Sequence, residues 1–184
     1  IIGDQCDGQL QELFGALPET VNQVVQSDSG LLIRVPGEIV RYECWMITEQ
    51  AQMAWEKLSQ AATAAGTNNW LLQDIENGIA EITQVNCEAF IPQMLNFQAV
   101  DAISFDKGCY TGQEIVARTQ YRGKAKRLMV RAIAEGGPEL NTGMEFTRPG
   151  ESQHIATLVE TARLPDSRQE VLMVVLADLA SHDQ

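Results

Sequence analysis

KGCYTGQE, residues 107–114, continued by IVAR to residue 118, is the stretch on which the reading of this chain turns. It sets a thiol, Cys109, between a cation and an aromatic ring, Lys107 and Tyr110, with Gly108 and Gly112 close by. Thr111-Gly112-Gln113-Glu114 fits the S/T-x-x-E capping box. In that arrangement the Thr111 hydroxyl accepts from the Glu114 amide, and the Glu114 carboxylate reaches back to the Thr111 amide. Ile115, Val116 and Ala117 then supply the helix body. Cys109 falls two residues before this N-cap and two after Lys107. Positive charge on both sides is the setting in which a cysteine becomes nucleophilic. The glycines allow positive φ or the close approach of a ligand. A plainer alternative stands beside this one, in which Thr111 and Glu114 cap a helix and Cys109 is a small buried apolar residue. Cys–His catalysis finds little support, because His154 and His182, the two histidines, both lie far from Cys109 in sequence.

The rest of the composition narrows the class. The 184 residues suffice for one large domain or two small ones, and 45% hydrophobic with 21% charged residues reads as globular. A net charge of −12 argues against a general binder of nucleic acid or of membrane surfaces. No apolar run is long enough to span a bilayer, and no stretch reads as a signal peptide. The four cysteines, Cys6, Cys44, Cys87 and Cys109, are widely spaced, which predicts reduced thiols in a cytoplasmic protein and no structural metal site. The chain opens on Ile1-Ile2 without an initiator Met, and is read as a segment of a longer polypeptide.

Working back from the motif, residues 4–17 place Leu10, Leu13, Phe14 and Leu17 at i, i+3, i+4, i+7, an amphipathic helix stopped by Pro18. LLIRV (31–35) and IVRYECWMI (39–47) read as strands around a Pro36-Gly37 turn. Thr48 is placed as the N-cap of a second helix, which carries Ala54, Leu58, Ala61, Ala62 and Ala65 to a stop at Gly66. Helix, strands and helix predict an α+β unit. After the break at residues 66–69, WLLQDIE (70–76) reads as a strand with Trp70, Leu72, Asp74 and Glu76 on one face, ended by Asn77-Gly78. Such a face either stacks a flat heterocycle and pairs with its N–H edge, or packs Trp70 inward and turns the acids to solvent. Residues 90–105 are read as irregular. From residue 125 onward a strand at 127–133 and the runs MEFT, HIATLVE and EVLMVVL, separated by Gly/Pro turns, predict a small antiparallel barrel or sandwich.

Seven of the thirteen Lys and Arg fall between residues 107 and 131: Lys107, Arg118, Arg122, Lys124, Lys126, Arg127 and Arg131. Two readings are open. One is a positive patch for a phosphate or a polyanionic tail, and the other is a solvated basic linker.

Together these residues carry a resemblance. KGCYTGQEIVAR resembles the signature of the YgfZ-type folate-binding proteins, relatives of the aminomethyltransferase (T-protein) of the glycine cleavage system. The likeness continues through NNWLLQDIENGIAEI (68–82), FIPQMLNFQAVDAISFDKGCYTGQE (90–114) and YRGKAKR (121–127), and so covers most of the chain. The aminomethyltransferases share a K-G-x-[FY]-x-G-x-E pattern but lack the cysteine, and that difference separates the two groups. The resemblance implies three domains around a central folate pocket. Residues 1–66 would be part of a ferredoxin-like middle domain. Residues 67–124 would be the returning segment of the folate-binding domain, and residues 125–184 the C-terminal β-barrel. The first two would be incomplete at the N-terminus. It further implies a tetrahydrofolate-binding accessory protein supporting iron–sulfur enzymes and thereby tRNA modification, with Cys109 as its functional thiol beside Lys107. Trp70, Glu76, Tyr110 and Gln113 would be the folate contacts. The partners implied are a folate and iron–sulfur client enzymes, with no stable nucleic-acid binding, no membrane, and a monomeric state. A folate-dependent aminomethyl transferase is the alternative.

Overall fold

The computed structural model describes residues 1–123 and 125–180, with the side chain of Arg122 left aside. It is an α+β structure in two compact units, Ile1–Trp70 and Leu71–Gln184.

The first unit grows from the predicted amphipathic helix, α1 (Asp7–Phe14), which buries Leu10 and Phe14. Gly15 stops it in the left-handed conformation, its N–H bonding to the Gln11 carbonyl. Three antiparallel strands follow as a meander: β1 (Val24–Ser27), β2 (Gly30–Val35) and β3 (Arg41–Trp45). Both predicted strands are present, and β1 is an addition, hidden in sequence by its polar partners Gln26 and Ser27. Val25, Leu32 and Cys44 line up across the sheet and, with Tyr42, meet Cys6, Leu10 and Phe14 of the helix layer. The register is pinned at Gly30 (φ +128°), where an added Cβ would stand 2.3 Å from the Trp45 carbonyl oxygen. Gly30→Ala is therefore expected to cost about 2 kcal/mol, from overpacking against backbone, with thermal unfolding as the measure.

Helix α2 (Thr48–Leu58) starts at Thr48, but Ile47 holds the N-cap position and no side chain caps it. It ends eight residues before Gly66, with Ser59 turning its hydroxyl onto the Trp55 carbonyl. The alanines beyond the helix extend its pattern in sequence, yet residues 62–66 are exposed. A helix gains most of its stability from burying a face, and there is none to bury there.

The second unit is built on a four-stranded antiparallel sheet of order β4-β7-β6-β5, from β4 (Arg127–Ala134), β5 (Glu145–Thr147), β6 (His154–Arg163) and β7 (Gln169–Leu176). Every strand predicted from residue 127 onward is present, but the predicted barrel is not. Among the described residues β4 and β5 form the two edges and do not pair with each other. β5 is three residues long, and the outer edge of β4 is taken: the Asn96 side-chain amide donates to the Met129 carbonyl at 3.0 Å. One sheet face presents Met129, Ala162, Leu172 and Val174 to Ile75, Ala80 and Leu95. Leu95 closes a 3-10 turn, Pro92–Leu95, within the stretch expected to be irregular. Two further helices, α3 (Thr67–Glu76) and α4 (Gln113–Arg122), complete the chain. Among the described residues no helix is long and apolar enough to cross a membrane.

Candidate functional site

The motif enters α4, but not through a capping box. The N-cap is Gly112, in the left-handed conformation (φ +88°), and no side chain caps the helix. Gly112 itself supplies the first carbonyl, accepting from Ile115 and Val116, while the Gln113 amide closes a turn onto the Tyr110 carbonyl. The cap has moved one residue past Thr111 because glycine adopts this backbone conformation without the cost that a Cβ imposes. Cys109 consequently sits three residues ahead of the cap. The field of a helix end falls off within its first turn, so the helix does less for this thiol than the sequence pattern suggests.

Lys107, Gly108 and Cys109 are all exposed, which sets aside the plainer reading of Cys109 as a buried apolar residue. Tyr110 is half-buried, and the Lys107 ammonium stands 4.8 Å from its ring centroid, a cation–π contact. The segment is held at both flanks. Val116 is buried, and its carbonyl accepts from the buried Gln93 amide at 2.6 Å. Phe105 meets Tyr121 edge to face, with centroids 6.2 Å apart. The structure thus presents a short, anchored, irregular loop whose exposed apex holds a free thiol.

The stretch read as a strand from Trp70 to Glu76 is the helix α3. Leu71, Leu72 and Ile75 form a helical stripe packed on the core of the second unit, and only Thr67 and Ile75 are β-branched. At 3.6 residues per turn the expected shared face breaks up. Trp70 and Asp74 lie one turn apart on one flank, Leu72 and Glu76 on another. Glu76 is exposed and accepts from the Gln73 side chain at 2.5 Å. The Asn77-Gly78 stop is present as expected, with Gly78 at φ +66°. Trp70 is half-buried, its ring covered by the guanidinium of Arg41 at 4.6 Å.

No protein-family profile matches the chain. Curated relatives do. The tRNA-modifying protein YgfZ of Yersinia pseudotuberculosis (serotype IB, strain PB1/+) is 36% identical over 183 residues, covering 98% of this chain and 56% of that protein. The protein of the same name from Yersinia pestis (strain Pestoides F) gives the same identity and coverage, and that from Yersinia enterocolitica (serotype O:8 / biotype 1B) is 35% identical over the same span. The chain is of YgfZ type. It spans about half the length of the curated relatives it matches, 56% in each case.

In this YgfZ-type chain the basic run is partly spent on the protein's own structure. Arg131 is ion-paired with the buried carboxylate of Glu170, and Arg127 donates to the His154 carbonyl at 2.9 Å. Lys107 lies on Tyr110, while Arg118 and Lys126 are exposed. Lys124, the Arg122 side chain and His182 lie outside the described residues. Among the described cations, then, two are sheet fastenings rather than parts of an open patch.

Sequence reading missed the buried acid Glu160 on β6. Its carboxylate accepts the Glu81 amide at 3.0 Å. Asn86 completes the lock, donating to the Glu81 carbonyl at 2.9 Å and accepting from the Thr83 amide at 2.7 Å. Burial, chiefly, pushes the Glu160 carboxyl above the ordinary glutamate range; the charges of Glu81 and Asp74 add to this, and the Glu81 N–H opposes it. The folded chain therefore holds this proton more tightly than the unfolded chain does. Its contribution to stability is full below the unfolded value of about 4.3 and is lost as pH rises toward the folded value. Glu160→Gln keeps an acceptor for the Glu81 amide and removes the titration. Denaturant unfolding at several pH values above 4.3 is expected to show a flatter decline for the variant. The sequence signal was an acid directly after the apolar pair Leu158-Val159, at the end of HIATLVE.

Proposed function

We propose that the chain is part of a tetrahydrofolate-binding accessory protein that supports iron–sulfur enzymes, and through them tRNA modification, with Cys109 as its working thiol. The observation that carries this is the KGCYTGQE motif in a chain 36% identical, over 98% of its length, to proteins named tRNA-modifying protein YgfZ. The exposure of Cys109 on an anchored loop supports a reactive role. Trp70, Glu76, Tyr110 and Gln113 are the proposed folate contacts, and the assignment of residues 1–66 to a ferredoxin-like domain and 67–124 to a folate-binding domain belongs to the same proposal. So do a cytoplasmic location, a monomeric state and iron–sulfur client enzymes. The test is genetic. The full-length protein should restore thiolated tRNA nucleosides, measured by mass spectrometry, in a deletion strain; no restoration contradicts the proposal.

One observation favours a second reading. Lys107, Gly108, Tyr110, Gly112 and Glu114 also satisfy the K-G-x-[FY]-x-G-x-E pattern of aminomethyltransferases. That reading predicts turnover of an aminomethylated carrier protein with tetrahydrofolate, unchanged in Cys109→Ala. Absence of turnover by the full-length protein removes it.

A further inference from the structure

Arg41 is a charged residue with 0% exposure, on β3, in a chain where buried charge is costly to maintain. Two of the contacts that fix its guanidinium bear on Trp70 and on the turn before β3. Nε and Nη2 both donate to the Pro36 carbonyl, at 3.2 and 2.6 Å, across the hairpin turn that joins β2 to β3. Its guanidinium carbon stands 4.6 Å from the centroid of the Trp70 indole. A planar cation over an aromatic face at this distance is attracted by the ring's quadrupole, and more strongly when both are shielded from water. Trp70 differs in this from the other two tryptophans, Trp45 and Trp55, each 61% exposed.

We infer that Arg41 is a positioning residue for the folate contact proposed at Trp70. The inference rests on that reading and deepens it. With the guanidinium on one face of the indole, a flat heterocycle can stack only on the other, and the ring plane is set before the ligand arrives. Pre-set orientation raises affinity by removing the cost of ordering the side chain on binding. Arg41 needs no contact with the ligand to do this. Lysine at position 41 keeps the charge but loses the planar fork that holds the Pro36 carbonyl and the ring together.

The test is a double-mutant cycle on the affinity of full-length protein for tetrahydrofolate, by calorimetry. Arg41→Met is expected to raise Kd about tenfold and Arg41→Lys about threefold, from loss or weakening of the cation–π clamp. In the Trp70→Ala background the same substitutions should change Kd by less than about twofold, because residues acting through one another are not additive. The near-UV circular dichroism of Trp70, read with Trp45 and Trp55 replaced by Phe, should weaken in Arg41→Met and be partly restored in Arg41→Lys. If Arg41→Met does not unfold cooperatively, Arg41→Lys carries the cycle. Unchanged Kd in the single variants, or losses that simply add to those of Trp70→Ala, overturn the inference alone. A wild-type protein that does not bind tetrahydrofolate removes the folate reading and this inference with it.

Discussion

Cys109→Ala in the full-length protein is expected to abolish restoration of tRNA thiolation in a deletion strain while leaving tetrahydrofolate affinity within about twofold of wild type. The two halves of that expectation come from the same geometry. Cys109 is exposed, so its removal opens no cavity, and surface substitutions of this kind change stability by about 0.5 kcal/mol or less. The neighbours that fix the loop do not depend on the thiol. Lys107 is held on the Tyr110 ring, Gly112 sets the helix entry, and Gln93 anchors α4 through the Val116 carbonyl. Loss of function in a folded, folate-binding variant would then belong to the chemistry of the sulfur. Normal restoration by Cys109→Ala would remove the thiol from the account.

Ile75→Ala is expected to destabilise the second unit by about 3 kcal/mol, the range found when a buried aliphatic side chain is truncated in a core that collapses only partly. Ile75 is 0% exposed and packs with Leu95, Met129 and Leu172, so α3, the 3-10 turn and the sheet all lose contacts at one point. A fall of about 10 °C in the unfolding midpoint is the corresponding observation. On the next position of the same helix, Glu76→Gln should change stability by about 0.5 kcal/mol or less, since Glu76 is exposed and accepts from its near neighbour Gln73. Equal losses at the two positions would contradict the helical register of α3.

That register is also where sequence reading failed most clearly. WLLQDIE satisfies an alternating pattern at Trp70, Leu72, Asp74 and Glu76, and equally a helical one at Leu71, Leu72 and Ile75. Short amphipathic runs fit both periods, and the sheet packed on Ile75 decides between them. The capping box failed for a different reason. Thr111 and Glu114 have the required spacing, but Gly112 between them favours a backbone conformation that shifts the cap by one residue. The α+β class, helix α1, strands β2 to β7 and the stop at Asn77-Gly78 were legible, because each rests on a strong local pattern with clear turn residues at its ends. Closure of the last sheet was not. Whether a sheet closes depends on what lies beside its edge strand, and Asn96 reaches the β4 edge from thirty-three positions away in sequence. Arg41 and Glu160 escaped for a related reason: each shares its strand with another charged residue, Glu43 and Arg163, so nothing local marks it as buried, and its partners across the fold, Trp70 and Glu81 among them, give it meaning.

Folate binding through Trp70 is the central claim, and a fluorescence titration tests it most directly. Full-length protein with the two exposed tryptophans replaced, Trp45→Phe and Trp55→Phe, leaves Trp70 as the reporter within this stretch of the chain. The account predicts a saturable change in its emission on adding tetrahydrofolate, and a Kd by calorimetry that rises about tenfold or more in Trp70→Ala, the scale of a lost aromatic stacking contact. A flat titration, or an affinity indifferent to Trp70→Ala, would contradict it.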